Sequence, residues 1–194
     1  EYTKNRHKVE CYMNQTADLT EKTLSREEKY QGSFLSLHVD QVQLPNGRTS
    51  FREVVEHVDG VAILALDDRN NVLTVTQYRY VIGKTLLEIP AGKLEPGEDP
   101  VAGALRELKE ETGAVPDTFL PMGVTLPSPG CLSERLYLFL AKGLHMESQQ
   151  LDEDEFLNVE RIPFNEMVHR VMDGEIEDSK TIAAVLKAKV LLNL

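Results

Sequence analysis

The segment between Asp99 and Gly113 constrains the fold of this 194-residue chain most, because both its start and its end are marked by residue type. Aspartate is a favoured N-cap residue, and the following Pro100 suits the first helical position. Gly113 is a typical C-terminal stop. These signals predict a helix from about Pro100 to Thr112.

The apolar residues of this helix define the face that we expect to pack on the core. At about 100° per residue, one narrow stripe collects Val101, Leu105, Leu108 and Thr112. Gly103 lies outside that stripe, beside the acids of the helix. Its missing side chain lets a loop or a ligand approach, at a helix-propensity cost of about 1 kcal/mol.

Three acids occupy an arc next to the apolar stripe. Glu107, Glu110 and Glu111 are spaced by three and four residues, so their charges repel in the isolated helix instead of finding the usual basic partner, and we expect a positive charge to lie beside them. Clustered carboxylate oxygens suit Mg²⁺ or Mn²⁺, and Mg²⁺ commonly shares its remaining positions with substrate phosphates. The cluster therefore predicts a divalent cation and a phosphate substrate. The alternative, for such a string alone, is a solvated acidic face.

The residues around this cluster resemble the Nudix box. Gly92 is followed after five residues by Glu98 and, after seven more, by R-E-L-K-E-E-T-G-A at residues 106–114. Every fixed position of the box is matched, with Ala114 a weak occupant of the closing apolar position. So many fixed residues are far more specific than a lone glycine-rich motif. The resemblance identifies the chain as a member of the Nudix hydrolases.

The resemblance implies a metal site and its supports. The metal ligands would be Glu107, Glu110, Glu111 and the main-chain carbonyl of Ala91, with Glu110 also counted as catalytic. The structural residues of the motif would be Gly92, Glu98, Arg106 and Gly113. Glu98 is expected to pair with Arg106, which would orient the ligands without contacting the substrate. The implied cofactor is Mg²⁺ or Mn²⁺, with two or more ions in each site.

Beyond the box, the chain resembles the ADP-ribose pyrophosphatase and nucleoside diphosphate sugar hydrolase branch of the family. The matching runs include LPNGRTSFREVVEH, QYRY, LLEIPAG, SPGCLSE and GEIEDSKTI, over about residues 28–190. This implies metal-dependent hydrolysis of ADP-ribose to AMP and ribose 5-phosphate. One alternative is another nucleoside diphosphate sugar, such as GDP-mannose. A second is a catalytically silent nucleotide sensor, although such modules typically lose the metal-binding glutamates that this chain keeps.

The resemblance also implies site residues outside the box. The general base would come from an acidic loop at 152–155, as Glu155 or Glu153, and the alternative is a solvated loop. The substrate-binding candidates are Arg52, Arg79, Glu88, Pro129, Ser133 and Glu134. Guanidinium groups suit phosphate oxygens, although surface arginines are common. Glu88 would bind metal or a substrate hydroxyl. Ser133 and Glu134 would contact the substrate or stabilise a turn, and His57 is interpreted as a sheet-packing side chain.

The remaining elements predict an α/β (α+β) fold: an α-β-α sandwich around a mixed sheet, with an antiparallel N-terminal β unit. Strand patterns cover residues 33–44, with a bulge near Asp40, and then residues up to 55, 61–66, 72–78, 119–124 and 136–141. Helical patterns follow from Phe164 and from Ser179, which is the expected cap of the last helix. We divide the chain into a polar extension (1–27), a β unit (28–57) that the resemblance links to homodimerisation, and a Nudix domain (58–194).

The amino-acid composition limits the kinds of partner that this protein can bind. A formal net charge of −11 argues against binding a nucleic acid polymer, which requires a basic surface. No apolar run reaches the roughly 18 residues of a membrane span, and the first residues lack the apolar core of a signal peptide, so we expect a cytoplasmic protein without a membrane partner. Cys11 and Cys131 are too few for a disulfide framework and are expected to be free thiols.

Overall fold

The N-terminal unit is a three-stranded antiparallel sheet. The computed structural model describes residues 18–151, 153 and 155–193. The strands of this sheet, in the order β1-β2-β3, are β1 (Lys22–Gln31), β2 (Leu35–Gln43) and β3 (Thr49–His57). β1 begins at Lys22, within the stretch 1–27 to which the sequence assigns no element. Residues 1–17 of that stretch, including Cys11, lie outside the described part of the chain.

The bulge that was expected near Asp40, in the middle strand of this sheet, is not found there. β2 pairs with β3 in unbroken register, and the irregularities lie in the pairing of β1 with β2, between residues 23 and 25 and between residues 28 and 30. The apolar alternation shifts because His38 and Asp40 are polar residues on the buried face of β2. Arg26 of β1 compensates the buried carboxylate by donating to both of its oxygens, each at 2.9 Å.

The main sheet is mixed and has seven strands, in the order β10-β5-β4-β9-β8, with β6 paired to β5 and β7 paired to β4. They are β4 (Gly60–Leu66), β5 (Asn71–Arg79), β6 (Lys84–Glu88), β7 (Ala91–Lys93), β8 (Ala114–Thr125), β9 (Leu136–Met146) and β10 (Leu157–Pro163). β4 is parallel to β9 and antiparallel to β5 and β7. Every residue of β4 is buried, as its continuous apolar run predicts.

Helices cover both faces of this sheet. They are α1 (Pro100–Thr112), α2 (Phe164–Met172) and α3 (Ser179–Leu192). Ile63 of β4 points to the core that contains Leu108 of α1, whereas its neighbour Leu64 belongs to the core that contains Met167 of α2 and Val185 of α3. The predicted α-β-α sandwich around a mixed sheet, with an antiparallel N-terminal unit, is therefore confirmed.

Helix α1 has the predicted bounds and both predicted ends. The Asp99 side chain accepts hydrogen bonds from the main-chain N–H groups of Val101 and Ala102 at 3.0 and 3.2 Å. Gly113 ends the helix with a left-handed φ of 73°. Local sequence signals were therefore sufficient to place this helix in the chain.

The buried face of α1 differs from the predicted stripe. Val101 and Leu105 are 44% and 36% exposed. The buried residues of the helix are instead Gly103, Ala104, Leu108, Glu111 and Thr112. A Cβ atom on Gly103 would lie 2.4 Å from Leu94 Cδ2, so the preceding loop approaches the helix there, as the sequence suggested. Packing of this loop and burial of an acid rotate the interior face away from the apolar stripe.

The last helix begins one residue earlier than expected, because its cap is Asp178 and not Ser179. Asp178 is the N-cap of α3, because its carboxylate accepts the main-chain N–H of Thr181 at 3.0 Å, and Ser179 is the first helical residue.

Among the residues described, no helix combines the length and apolar character that crossing a bilayer requires. Cys131 is exposed and free.

Candidate functional site

Arg106 forms ion pairs with three acids of the box. Its Nε and Nη2 atoms each lie 2.9 Å from an oxygen of Glu98, which confirms the predicted pair. These hydrogen bonds lower the pKa of Glu98 from 4.5 to about 2. Nη1 lies 2.9 Å from both Glu107 Oε1 and Glu110 Oε2. Glu107 and Glu110 therefore have a basic partner within the helix, which the spacing of the three acids did not predict. Arg106 lies one turn before Glu110, and its side chain also reaches its neighbour Glu107.

Glu111 is the box acid that lies fully inside the protein. Its Oε2 atom accepts the main-chain N–H of Ala91 at 2.9 Å, whereas Oε1 has no hydrogen-bond donor among the described residues. Desolvation by burial raises the pKa of Glu111 well above its ordinary value. An unpartnered buried oxygen costs about 1–3 kcal/mol, and a proton or a cation at Oε1 would remove that cost.

Gly92 is required by the closeness of the Glu107 carboxylate. A Cβ atom at this position would lie 2.0 Å from Glu107 Cδ and 2.2 Å from each of its oxygens. No side chain larger than hydrogen fits there unless the carboxylate or the strand moves. The glycine of the box therefore allows an acid of α1 to lie directly against the main chain of β7.

The acids fit a hard divalent cation in their chemistry. Within the described residues, no three His, Cys, Asp or Glu side chains are grouped as ligands of one ion, and Arg106 engages Glu107 and Glu110 instead. The orphan Oε1 of Glu111 nevertheless presents an uncompensated oxygen in the interior, which is the atom that a cation would satisfy.

A cleft of about 820 Å³ opens beside the box helix. The predicted site residues in its lining are Arg79, Ala91, Gly92, Arg106, Glu107, Glu110, Glu134 and Glu155. The predicted substrate residues Arg52, Glu88, Pro129 and Ser133 are not part of the lining that the described residues form. The structure thus brings part of the box together with one substrate arginine, Glu134 and one loop acid, whereas the buried Glu111 does not belong to the lining within the described part of the chain.

Glu155 is the loop acid that lies close to the box. Burial is the main cause of the raised pKa of Glu107 and of Glu111, and the negative charge of Glu155 adds to it in both cases. Glu155 is half-buried in the cleft lining, whereas Glu153 is exposed and outside it. The neighbouring residues 152 and 154 lie outside the described part of the chain.

Glu88 is buried and joins two cations of the cleft. Arg79 donates to its two oxygens from Nε at 2.7 Å and from Nη2 at 2.6 Å. Lys180 also forms an ion pair with Glu88, and it lies 2.9 Å from Asp178 Oδ1. Burial acts to raise the pKa of Glu88, but Arg79 and Lys180 together outweigh it and keep that pKa below its ordinary value. In this structure Glu88 therefore holds Arg79 in place, and its contact with a metal or a substrate hydroxyl stays a prediction.

The loop that carries Pro129 is tied to the N-terminal sheet. Ser133 Oγ accepts the main-chain N–H of His57 at 3.0 Å. Glu134 Oε1 lies 3.8 Å from His57 Nδ1, and burial is the main cause of a raised pKa for Glu134. Arg52, further along β3, binds the carboxylate of Glu21 instead of facing the cleft. Substrate contacts by these residues stay predictions.

Sequence reasoning missed several side chains of the cleft. They are Phe34, Tyr78, Lys93, Phe156 and Lys180. They come from separate loops, strands and a helix, so no spacing pattern joins them. The available signal was the resemblance of the run around Lys180 to the ADP-ribose pyrophosphatase branch, which did not indicate a role.

Comparison with known proteins assigns the family. The Nudix domain profile matches residues 56–185, and the profile described as a nucleoside diphosphate sugar hydrolase N-terminal domain matches residues 21–55. The chain belongs to the Nudix hydrolase family, whose members generally depend on divalent metal ions.

The chain is also similar to curated relatives along most of their length. The chain is 43% identical to a methanol dehydrogenase activator of Bacillus methanolicus, over 85% of this chain and 90% of that protein. It is 41% identical to an ADP-ribose pyrophosphatase of Bacillus subtilis (strain 168), over 86% of this chain and 91% of that protein. A crystal structure of an ADP compounds hydrolase has the same fold, with a TM-score of 0.79 and 22% identity, over 89% of this chain and 94% of that chain.

Proposed function

We propose that this protein hydrolyses the pyrophosphate bond of ADP-ribose, yielding AMP and ribose 5-phosphate. The observation that carries the proposal is the buried Glu111, one of whose oxygens has no partner among the described residues, beside two further box acids at the edge of a cleft. The similarity to the Bacillus subtilis ADP-ribose pyrophosphatase supports this choice of substrate.

The proposed cofactor is Mg²⁺ or Mn²⁺, with two or more ions per site. Glu107, Glu110 and Glu111 would hold the ions with the main-chain carbonyl of Ala91, and Glu98 would keep Arg106 in place behind them. When bound, divalent ions neutralise the charge of a diphosphate and lower the pKa of the attacking water. The orphan oxygen of Glu111 supports this assignment.

Side chains of the cleft account for substrate binding despite the acidic net charge. Arg79, Lys93 and Lys180 place positive charge in the lining, where phosphate oxygens would lie. Glu88 holds Arg79 in place at the cleft through two hydrogen bonds. Together with bound divalent ions, these cations would attract a small dianion, although the whole protein would repel it.

Glu155 is the proposed general base. Its carboxylate would accept a proton from the attacking water, the water oxygen would bond to one phosphorus, and the other phosphate would leave with the bridging oxygen. Its place in the cleft lining, and its charge beside Glu107 and Glu111, favour it over the exposed Glu153.

A substrate panel tests this function. Products of ADP-ribose, GDP-mannose and UDP-glucose are separated by chromatography after incubation with Mg²⁺, and we expect the highest kcat/KM for ADP-ribose. The Glu155→Gln and Glu153→Gln variants are compared on the same substrate, and the first should lose far more turnover. Absence of AMP from the wild-type reaction, with either Mg²⁺ or Mn²⁺, would refute the proposal.

Hydrolysis of another nucleoside diphosphate sugar is the second candidate. It is favoured by the match of residues 21–55 to the N-terminal domain of nucleoside diphosphate sugar hydrolases. Equal or faster cleavage of GDP-mannose in the same panel would select it. A silent sensor that regulates a partner is disfavoured because the three metal-binding glutamates are retained.

We also propose that residues 28–57 form a dimerisation unit next to a Nudix domain at 58–194. Tyr30 and Phe51 lie on the same face of the N-terminal sheet and are 59% and 65% exposed, so a second copy could bury them. Light scattering after gel filtration should give a dimer, and Phe51→Glu should give a monomer. Val190→Glu, at an exposed apolar position of α3, is the matched control. A monomeric wild-type protein contradicts the proposal.

The cytoplasmic location stays a prediction, to be tested by fractionation.

A further inference from the structure

Residues 88–91, which precede the box glycine, are held from several parts of the fold. The carbonyl of Pro90 accepts the main-chain N–H of Ile63 in β4 at 2.9 Å. The main-chain N–H of Ile89 donates to Thr181 Oγ1 in α3, also at 2.9 Å. The segment is therefore fixed between the central strand on one side and the start of the last helix on the other.

The N-cap residue of α3 orients the Thr181 side chain for this contact. Its side chain is fully buried, and its hydroxyl donates to Asp178 Oδ2, which also accepts the main-chain N–H of Thr181. A hydroxyl has one proton, so donation to Asp178 leaves a lone pair of Oγ1 for Ile89. Ile89 is buried as well, so its N–H has no access to solvent as a substitute partner.

The contact between Ile89 and Thr181 lies two residues before Ala91, whose main chain holds Glu111. The N–H of Ala91 donates to Glu111 Oε2 at 2.9 Å, and its carbonyl is the proposed metal ligand. A shift of the main chain at Ile89 would therefore move both the support of the buried carboxylate and the carbonyl oxygen.

We infer that Thr181 is a positioning residue for the metal site of the box, although it is distant from the box in sequence. It acts through the main chain of Ile89 to Ala91 and touches neither substrate nor metal. The inference rests on the proposed function, because it assigns α3 a role in the geometry of that same site.

The test replaces Thr181 by Val, which keeps the shape and removes the hydroxyl, and by Ser, which keeps the hydroxyl. The control is Thr74→Val. Thr74 is equally buried, and its hydroxyl also bonds to a main-chain group, the carbonyl of Glu160 at 3.4 Å. Mn²⁺ binding to each nucleotide-free protein is measured by electron paramagnetic resonance, and hydrogen exchange reports on the Ile89 amide.

We expect Thr181→Val to weaken Mn²⁺ binding by about 10- to 100-fold, as is typical when a group that orients a metal ligand is lost. The Ile89 amide should exchange faster, kcat should fall more than KM rises, and Thr181→Ser should restore binding to near the wild-type value. Thr74→Val should bind Mn²⁺ like the wild type. This pattern separates a positioning role from general destabilisation.

Wild-type Mn²⁺ affinity in a folded Thr181→Val protein overturns the inference. If that variant does not fold, Thr181→Ala takes its place, because alanine also removes the hydroxyl and adds no atom to the buried cap. Weakened Mn²⁺ binding in that variant supports the inference, and unchanged binding overturns it. A wild-type protein that neither binds Mn²⁺ nor cleaves ADP-ribose refutes the proposed function itself, whereas an active wild type with an unaffected variant refutes only the role of Thr181.

Discussion

Replacing Gly92 by alanine should remove most of the hydrolytic activity and leave the fold largely intact. The new Cβ atom would lie 2.0 Å from Glu107 Cδ. Carbon atoms in ordinary contact are about 3.5–4.0 Å apart, so the carboxylate or the strand must move by roughly 1.5 Å. A misplacement of about 1 Å can cost about 100-fold in rate. We therefore expect kcat to fall by at least about 100-fold, or about 2.7 kcal/mol of transition-state stabilisation.

The stability of this variant should change much less than its activity. Gly92 has no positive φ, so alanine fits the main chain of β7, and the overpacking cost should be about 1–3 kcal/mol. The measurements are steady-state AMP release and thermal unfolding. Gly130→Ala is the matched control, because a Cβ atom there meets nothing within 4 Å and no positive φ opposes it. A Gly92→Ala enzyme with more than half of the wild-type kcat would refute the reasoning.

Three further predictions concern two acids of the box and one arginine of the cleft. Glu111→Gln should lose most turnover, but its unfolding temperature should not fall, because burial already disfavours the negative charge of Glu111. Near-normal turnover in this variant would show that Glu111 is not a metal ligand. Arg79→Ala should raise the KM for ADP-ribose by about tenfold, as the loss of a charge-assisted hydrogen bond predicts, and an unchanged KM would leave Arg79 without a role in binding. For Glu98 the folded pKa of about 2 lies below the ordinary 4.5, so its stabilising contribution is present above about pH 4.5 and is lost as the pH falls toward 2. Denaturant unfolding should show Glu98→Gln to be less stable than wild type at pH 7 and equally stable near pH 2; an equal deficit at both values contradicts this.

Local signals in the sequence were sufficient for the bounds of α1 but not for its orientation. Asp99 and Gly113 mark its ends through hydrogen bonds and main-chain conformations that involve only nearby residues. Which side is buried depends on the loop at Leu94, which packs against Gly103 and leaves Val101 exposed. That contact has no counterpart in helical periodicity, and the predicted stripe was therefore partly wrong.

For the candidate site, too, the sequence predicted some features and only the structure showed the others. The resemblance named Glu107, Glu110 and Glu111 together, and the sequence had no means of ranking them. The structure distinguishes Glu111, because only folding makes it the fully buried member, with one oxygen that the described part of the chain leaves without a partner. Lys180 and its ion pair with Glu88 could not be predicted, because they join α3 to β6 across about half of the chain.

The sequence by itself determined the family, the box helix and the oxygen-rich set of acids, because a helix start, a helix end and a spaced motif are properties of neighbouring residues. The tertiary structure alone decided which box oxygen lacks a partner within the residues it describes, which cations reach the cleft, and how Thr181 comes to hold the main chain before Gly92. These features depend on burial and on contacts between distant segments, which exist only after the sheet and its two helical layers have assembled.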